Sequence, residues 1–223
     1  MLKSAAKVII KSVLLQMPLY KSFNPNTSAT VKIWEITESF DQLLQPLNLK
    51  PVSLTRVNGM KSEIHQCGFL SVRHLLREFG YTDQDLFYDD WGKPFLKDGR
   101  HISISHSFCF SGVIVSDHPV GIDIEMQRDK IGIIAKKFVG YEWEYLTEDD
   151  PEYIRKLTLI WAVKESLYKL FATAGMLFKD HFLVIPFMLD DLNTVAWINY
   201  EGQKERHDIR FLEFKGFSCA YTN

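Results

Sequence analysis

The sequence predicts an α+β protein, and three observations carry that prediction. Val31-Lys32-Ile33-Trp34-Glu35-Ile36 alternates apolar and polar residues, as a half-buried strand does. From residue 61 to 79, Ile64, Phe69, Val72, Leu75, Leu76 and Phe79 recur at three- and four-residue steps, the period of an amphipathic helix. The order strand, helix, strands, then helices and strands again belongs to the α+β class, and no repeat relates the two halves.

Taken in order, residues 40–49 read as a short helix or turn ended by Pro51, and Gly80 closes the helix of residues 61–79. Residues 83–87 read as a turn, and Lys97-Asp98-Gly99-Arg100 as another after Trp91-Gly92-Lys93-Pro94-Phe95-Leu96. His101-Ile102-Ser103-Ile104-Ser105-His106-Ser107 alternates and runs into a polar corner. Residues 110–116 and 120–125 make two more strands, joined by the Asp117-His118-Pro119 turn. Helices are expected over 131–138 and, longest, over 154–171, with strands over 182–187, 194–200, 207–214 and 217–221.

Residues 1–30 stand apart. They read as an amphipathic extension, or, with Met17 as the starting residue, as a turn-like lead into the first strand; a signal peptide is not expected.

The chain has 223 residues, 46% of them hydrophobic and 24% charged, enough for one large domain or two small ones. A formal net charge of −2 argues against nucleic acid as the main partner. No stretch approaches the roughly 20 apolar residues of a membrane span. Cys67, Cys109 and Cys219 form neither a disulfide framework nor a metal pattern, so a cytoplasmic setting is expected.

The chemistry concentrates in two segments, Gly121-Ile122-Asp123-Ile124-Glu125 and Trp161-Ala162-Val163-Lys164-Glu165-Ser166-Leu167-Tyr168-Lys169. In a strand Asp123 and Glu125 share one face, with Ile122 and Ile124 on the other. In a helix Trp161, Glu165 and Lys169 follow one stripe. If Glu165 faces the strand, three carboxylates converge beside a lysine, which suits a hard divalent cation and a phosphate. Singly, each segment also fits an edge strand or a surface Glu–Lys pair.

Lys93 sits in a Gly-Lys-Pro turn, and Ser105 and His106 end a strand where donors can converge on an anion. Lys61, Lys97 and Arg100 read as solvated charges within reach of a phosphate. His65, His74, His101, His118, His181 and His207 show no ligand spacing and read as surface or core residues. Arg128, Lys130, Ile131, Ile134, Lys136, Lys137 and Phe138 mix cations and apolar groups, as either a docking surface or a plain amphipathic helix would.

Together with Gly92-Lys93-Pro94 and Ile104-Ser105-His106-Ser107, these segments resemble the 4′-phosphopantetheinyl transferases, in length the monomeric, surfactin-synthetase-activating type. The resemblance runs from about Val31 onward. It implies two similar α/β subdomains (31–117 and 118–223) about a pseudo-twofold axis, with coenzyme A between them. It also implies Mg²⁺, with Mn²⁺ an alternative, on Asp123, Glu125 and Glu165, and an acyl or peptidyl carrier protein as partner. Glu165, Lys169 and Asp123 would be catalytic. Lys169, Ser105 and His106 would hold the pyrophosphate, Lys93 would lie by the adenosine, and Lys164 would add a further cation. The family's first-helix arginine is missing here, so either Lys61 or Arg56 would stand in at the 3′-phosphate or that phosphate would be held more weakly. A coenzyme A or nucleotide-binding module without turnover is the rival expectation.

Overall fold

The computed structural model describes residues 19–173 and 175–222. Expectations for the chain before Leu19 fall outside them. In chain order the elements are β1 (Leu19–Phe23), β2 (Ala29–Glu35), α1 (Phe40–Leu44), α2 (Pro51–Asn58), α3 (Glu63–Glu78), β3 (Leu86–Tyr88), β4 (Pro94–Leu96), β5 (His101–Ser107) and β6 (Phe110–Ser116). Then come β7 (Ile122–Met126), α4 (Lys130–Phe138), α5 (Tyr153–Phe171), α6 (Phe178–His181), β8 (Phe182–Val184), β9 (Asn193–Tyr200), β10 (Gln203–Phe214) and β11 (Phe217–Thr222).

Two antiparallel sheets organise them, one in the order β1-β2-β6-β5 and the other β7-β11-β10-β9-β8, with β3 and β4 as a separate hairpin. The alternation seen in the sequence sorts their side chains into layers. Val31, Ile33 and Ile114 of the first sheet meet Ile122, Ile124, Phe217 and Cys219 of the second in a core between the sheets. On the outer face of the first sheet, Val113 and Val115 pack under Val72, Leu75 and Leu76 of α3. On the outer face of the second, Phe211 and Ala220 pack under Leu159, Ile160 and Val163 of α5.

The expected α+β class therefore stands, with local corrections. Pro51 opens α2 rather than ending the segment before it, because the first helical position has no hydrogen bond for proline to forfeit. The stretch read as turn-like holds β1, which pairs with β2. Rings rather than alternation fix it: Tyr20 lies 5.3 Å from Phe110 and 5.2 Å from Phe214, and Phe23 lies 5.6 Å from Tyr221.

The edge strands β5 and β7 lie side by side without a backbone ladder between them. Three serine hydroxyls replace it. Ser103 Oγ accepts from the Ile122 amide at 3.1 Å, Ser105 Oγ from Ile124 at 3.1 Å, and Ser107 Oγ from Met126 at 3.3 Å. These are the amides that β7 does not direct toward β11, so the serines satisfy an otherwise bare edge.

Candidate functional site

Because Ile122 and Ile124 turn into the core, Asp123 and Glu125 project toward α5. Gly121 lets the helix come close: a Cβ there would stand 1.8 Å from the Ser166 carbonyl oxygen. Asp123 is 3% exposed. Its Oδ1 accepts from Lys169 Nζ at 2.7 Å and from Ser105 Oγ at 2.8 Å, while its buried Oδ2 has no hydrogen-bond partner. Glu125 accepts from Trp161 Nε1 at 3.1 Å and from Ser107 Oγ at 3.2 Å. Trp161 and Lys169 thus reach the acids from the stripe that also carries Glu165.

Burial, reinforced by Asp123 and Glu125 and only partly opposed by Lys169, pushes the Glu165 carboxyl up to about 7. Burial and then Asp123 also raise Glu125. Crowded acids, one with an orphaned buried oxygen, suit a hard cation with oxygen ligands. Among the described residues no three His, Cys, Asp or Glu side chains are already drawn together into an ion-enclosing group.

Beside this cluster a cleft of about 890 Å³ opens between α3, β5 and the β3–β4 hairpin on one side and the C-terminal end of α5 on the other. Arg56, His65, Arg73, Lys93, His106 and Lys169 line it, and among the described residues no Asp or Glu does. Lys169 belongs to both the cleft and the acidic cluster. The turn holding Lys93 is fixed by Gly92 at φ +84° and by Asp89 Oδ1, which accepts from the Trp91 and Lys93 amides at 2.9 and 2.8 Å. Lys93 Nζ donates to the Leu170 carbonyl at 3.0 Å, joining the two walls.

Arg56 lies over the Tyr88 ring, 5.3 Å from its centroid, and Arg73 over Phe69 at 3.4 Å, anchored to Asp83 at 3.0 Å. His106 is open to the cleft, yet surrounding protein, His65 and Lys169 together hold its pKa below the usual imidazole value. Gly68 makes room for that ring, since a Cβ would lie 3.2 Å from it.

Several sequence expectations change here. Lys164 is 0% exposed; it donates to the Phe138 and Phe178 carbonyls and pairs with Glu142 at 2.8 Å, so it anchors α5 and reaches no ligand. Ser105 donates its proton to Asp123, accepts from Ile124 and does not line the cleft, so its hydroxyl serves the acid rather than a pyrophosphate. Lys61 is exposed and off the cleft, whereas Arg56 lines it. His65 is a cleft residue rather than a filler. Phe138 is fully buried in the α5 core, so it is no part of a docking surface. Trp161 and Ser107 were not read as site residues; the i, i+4, i+8 stripe signalled Trp161, while only tertiary contact reveals Ser107.

Residues 119–222, β7 through β11, match the family model described as the 4′-phosphopantetheinyl transferase superfamily. Over that stretch, a little under half of its length, the chain is similar to the superfamily. The 4′-phosphopantetheinyl transferase gsp of Aneurinibacillus migulanus is similar to the chain, 28% identical over 154 residues that cover 66% of this chain and 62% of the relative. The match thus spans less than two-thirds of that relative's length. The family match takes in both acidic segments, while α2, α3 and the β3–β4 hairpin of the basic wall precede it. No helix among the described residues is long and apolar enough to cross a membrane.

Proposed function

We propose that the protein transfers the 4′-phosphopantetheine group of coenzyme A to a serine of an acyl or peptidyl carrier protein and releases 3′,5′-ADP. The observation that carries this is the cleft: basic and aromatic, free of lining carboxylates among the described residues, and ending at Lys169 beside Asp123, Glu125 and Glu165. A polyanion with a planar base suits such a channel, since cations meet its phosphates and rings its base.

In this reading the phosphates lie along Arg56, Arg73, Lys93, His106 and Lys169. Lys169 presents its charge to the diphosphate, where charge grows as the phosphorus–oxygen bond to 3′,5′-ADP breaks. Glu165, on the helix stripe facing Asp123 and Glu125, takes the proton of the attacking serine hydroxyl. A divalent cation, Mg²⁺ or Mn²⁺, held by Asp123, Glu125 and Glu165, would supply further neutralisation of that charge. The two sheets serve as the cores of two subdomains that share the ligand, the first reaching back from residue 31 to β1 and the second running from residue 118, and the protein works as a cytoplasmic monomer. Arg128, Lys130, Ile131 and Ile134 line a hollow beside Glu125 and Trp161 whose cations suit an acidic carrier.

The test is to incubate the protein with coenzyme A, Mg²⁺ and a panel of apo carrier proteins, and to weigh the carriers. A phosphopantetheine mass gained with the parent and lost with Asp123→Ala is expected. A folded parent that modifies no carrier and shows no Mg²⁺-dependent thermal shift with coenzyme A would overturn the reading.

A further inference from the structure

We infer that the serine row of β5 positions the acidic pair of β7, with Ser107 and Ser105 as positioning residues that aim Glu125 and Asp123. The inference rests on the proposed function only in taking those acids as cation ligands. Its own support is geometric. Ser105 and Ser107 are 5% and 8% exposed, so little water competes for their hydroxyls.

Each hydroxyl accepts from one amide of β7 and donates to one acid of the same strand: Ser105 to Asp123 at 2.8 Å, Ser107 to Glu125 at 3.2 Å. Accepting the amide leaves the hydroxyl one proton to donate, so the amide bond fixes the direction in which that proton points. Ser103 accepts its amide in the same way but has no acid to hold, since the residue before Ile122 is Gly121, which has no side chain. The row therefore does two things at once. It registers the first sheet on the second, and it holds each carboxylate by one oxygen.

For Glu125 the hold is two-sided, because Trp161 Nε1 takes the other oxygen from the α5 side at 3.1 Å. For Asp123 both donors, Ser105 and Lys169, converge on Oδ1, which leaves Oδ2 as the oxygen to be shared with a ligand. Groups that orient ligand carboxylates in this way typically control affinity by about 10–100-fold.

The test measures Mn²⁺ binding to the full chain without coenzyme A, following free Mn²⁺ by electron paramagnetic resonance, with metal-free urea unfolding alongside. Ser107→Ala should weaken Mn²⁺ about tenfold, and Ser107→Thr, which keeps the hydroxyl, should bind as the parent does. Ser105→Ala, which frees Asp123 instead, should weaken Mn²⁺ as well and serves as the deciding variant should Ser107→Ala not fold; Mn²⁺ bound by it as tightly as by the parent would then overturn the inference. A folded Ser107→Ala that lowers the urea midpoint but binds Mn²⁺ like the parent shows a purely structural row and overturns the inference. In that outcome, loss of Mn²⁺ by Asp123→Ala leaves the proposed function standing. A parent that binds no Mn²⁺, or binds it undiminished in Asp123→Ala, overturns this inference and the cation site beneath it.

Discussion

Glu165 holds its proton to about pH 7 when no cation is present, against an ordinary value of 4.5, because it is buried among like charges. A carboxyl raised in the folded state binds its proton more tightly there than in the unfolded chain. Stability therefore falls as pH rises from about 4.5 to about 7 and stays flat beyond. His74 and His106, lowered mainly by burial, act oppositely and cost stability as pH falls below their unfolded value of 6.5. The difference between parent and Glu165→Gln isolates the acid. In urea titrations with EDTA, the variant should gain on the order of 2 kcal/mol relative to the parent between pH 5 and 8. It should also lose transfer by about 100-fold or more.

At the cleft wall, Arg56→Ala should weaken coenzyme A about tenfold in a calorimetric titration, roughly one charge-assisted contact. Lys61→Ala should leave it unchanged. The strand period puts Asp123 and Glu125 on one face and the helix period puts Glu165 and Lys169 on one stripe, while only the tertiary packing, seen in the Lys169–Asp123 contact, turns that stripe toward the strand. Lys164 and Ser105 were misread because their partners, Glu142 and Ile124 among them, come from elements that no local period connects to them.

Among the elements, α5 depends on two close fits. Gly121 admits it against β7, and Lys164 ties it to Glu142, to the last carbonyl of α4 and to the carbonyl of the first residue of α6. Gly121→Ala would drive a methyl into helix backbone and should cost at least about 3 kcal/mol, read as a lower urea midpoint or loss of folded protein. Lys164→Met would leave the Glu142 carboxylate buried with only the Gly140 and Val184 amides for partners, at about 3–5 kcal/mol. Whatever folded Lys164→Met remains should bind coenzyme A as the parent does. That outcome separates an anchor from a ligand contact. Long elements such as α3 and α5 were legible because their apolar periods run for several turns. The single turn of α6 and the five residues of β1 were not, since too few positions repeat to reveal a period.

The whole molecule is two sheets back to back, each covered on its outer face by helix, with a cleft whose walls come from both halves. A ligand seated there should stabilise both halves as one. At a concentration about 100 times its dissociation constant, coenzyme A should add about 2.7 kcal/mol to a single unfolding transition. Tryptophan fluorescence, to which buried Trp34 of the first half and half-buried Trp161 of the second contribute, and far-ultraviolet circular dichroism should then report the same midpoint; separate midpoints would mean the halves melt independently. The junction of the sheets could not be foreseen from pattern, because serines stand where a ladder would be.

One practical lesson concerns where to cut. Val31 looks like a natural front boundary, but a chain trimmed to begin there would lose β1 and bare the flank of β2. Phe110, Phe214 and Tyr221 would be stripped of the rings that shield them. A naked strand flank next to uncovered aromatics invites sticking between copies, so material prepared for crystals or assays should keep everything from Leu19 onward and carry any tag ahead of it.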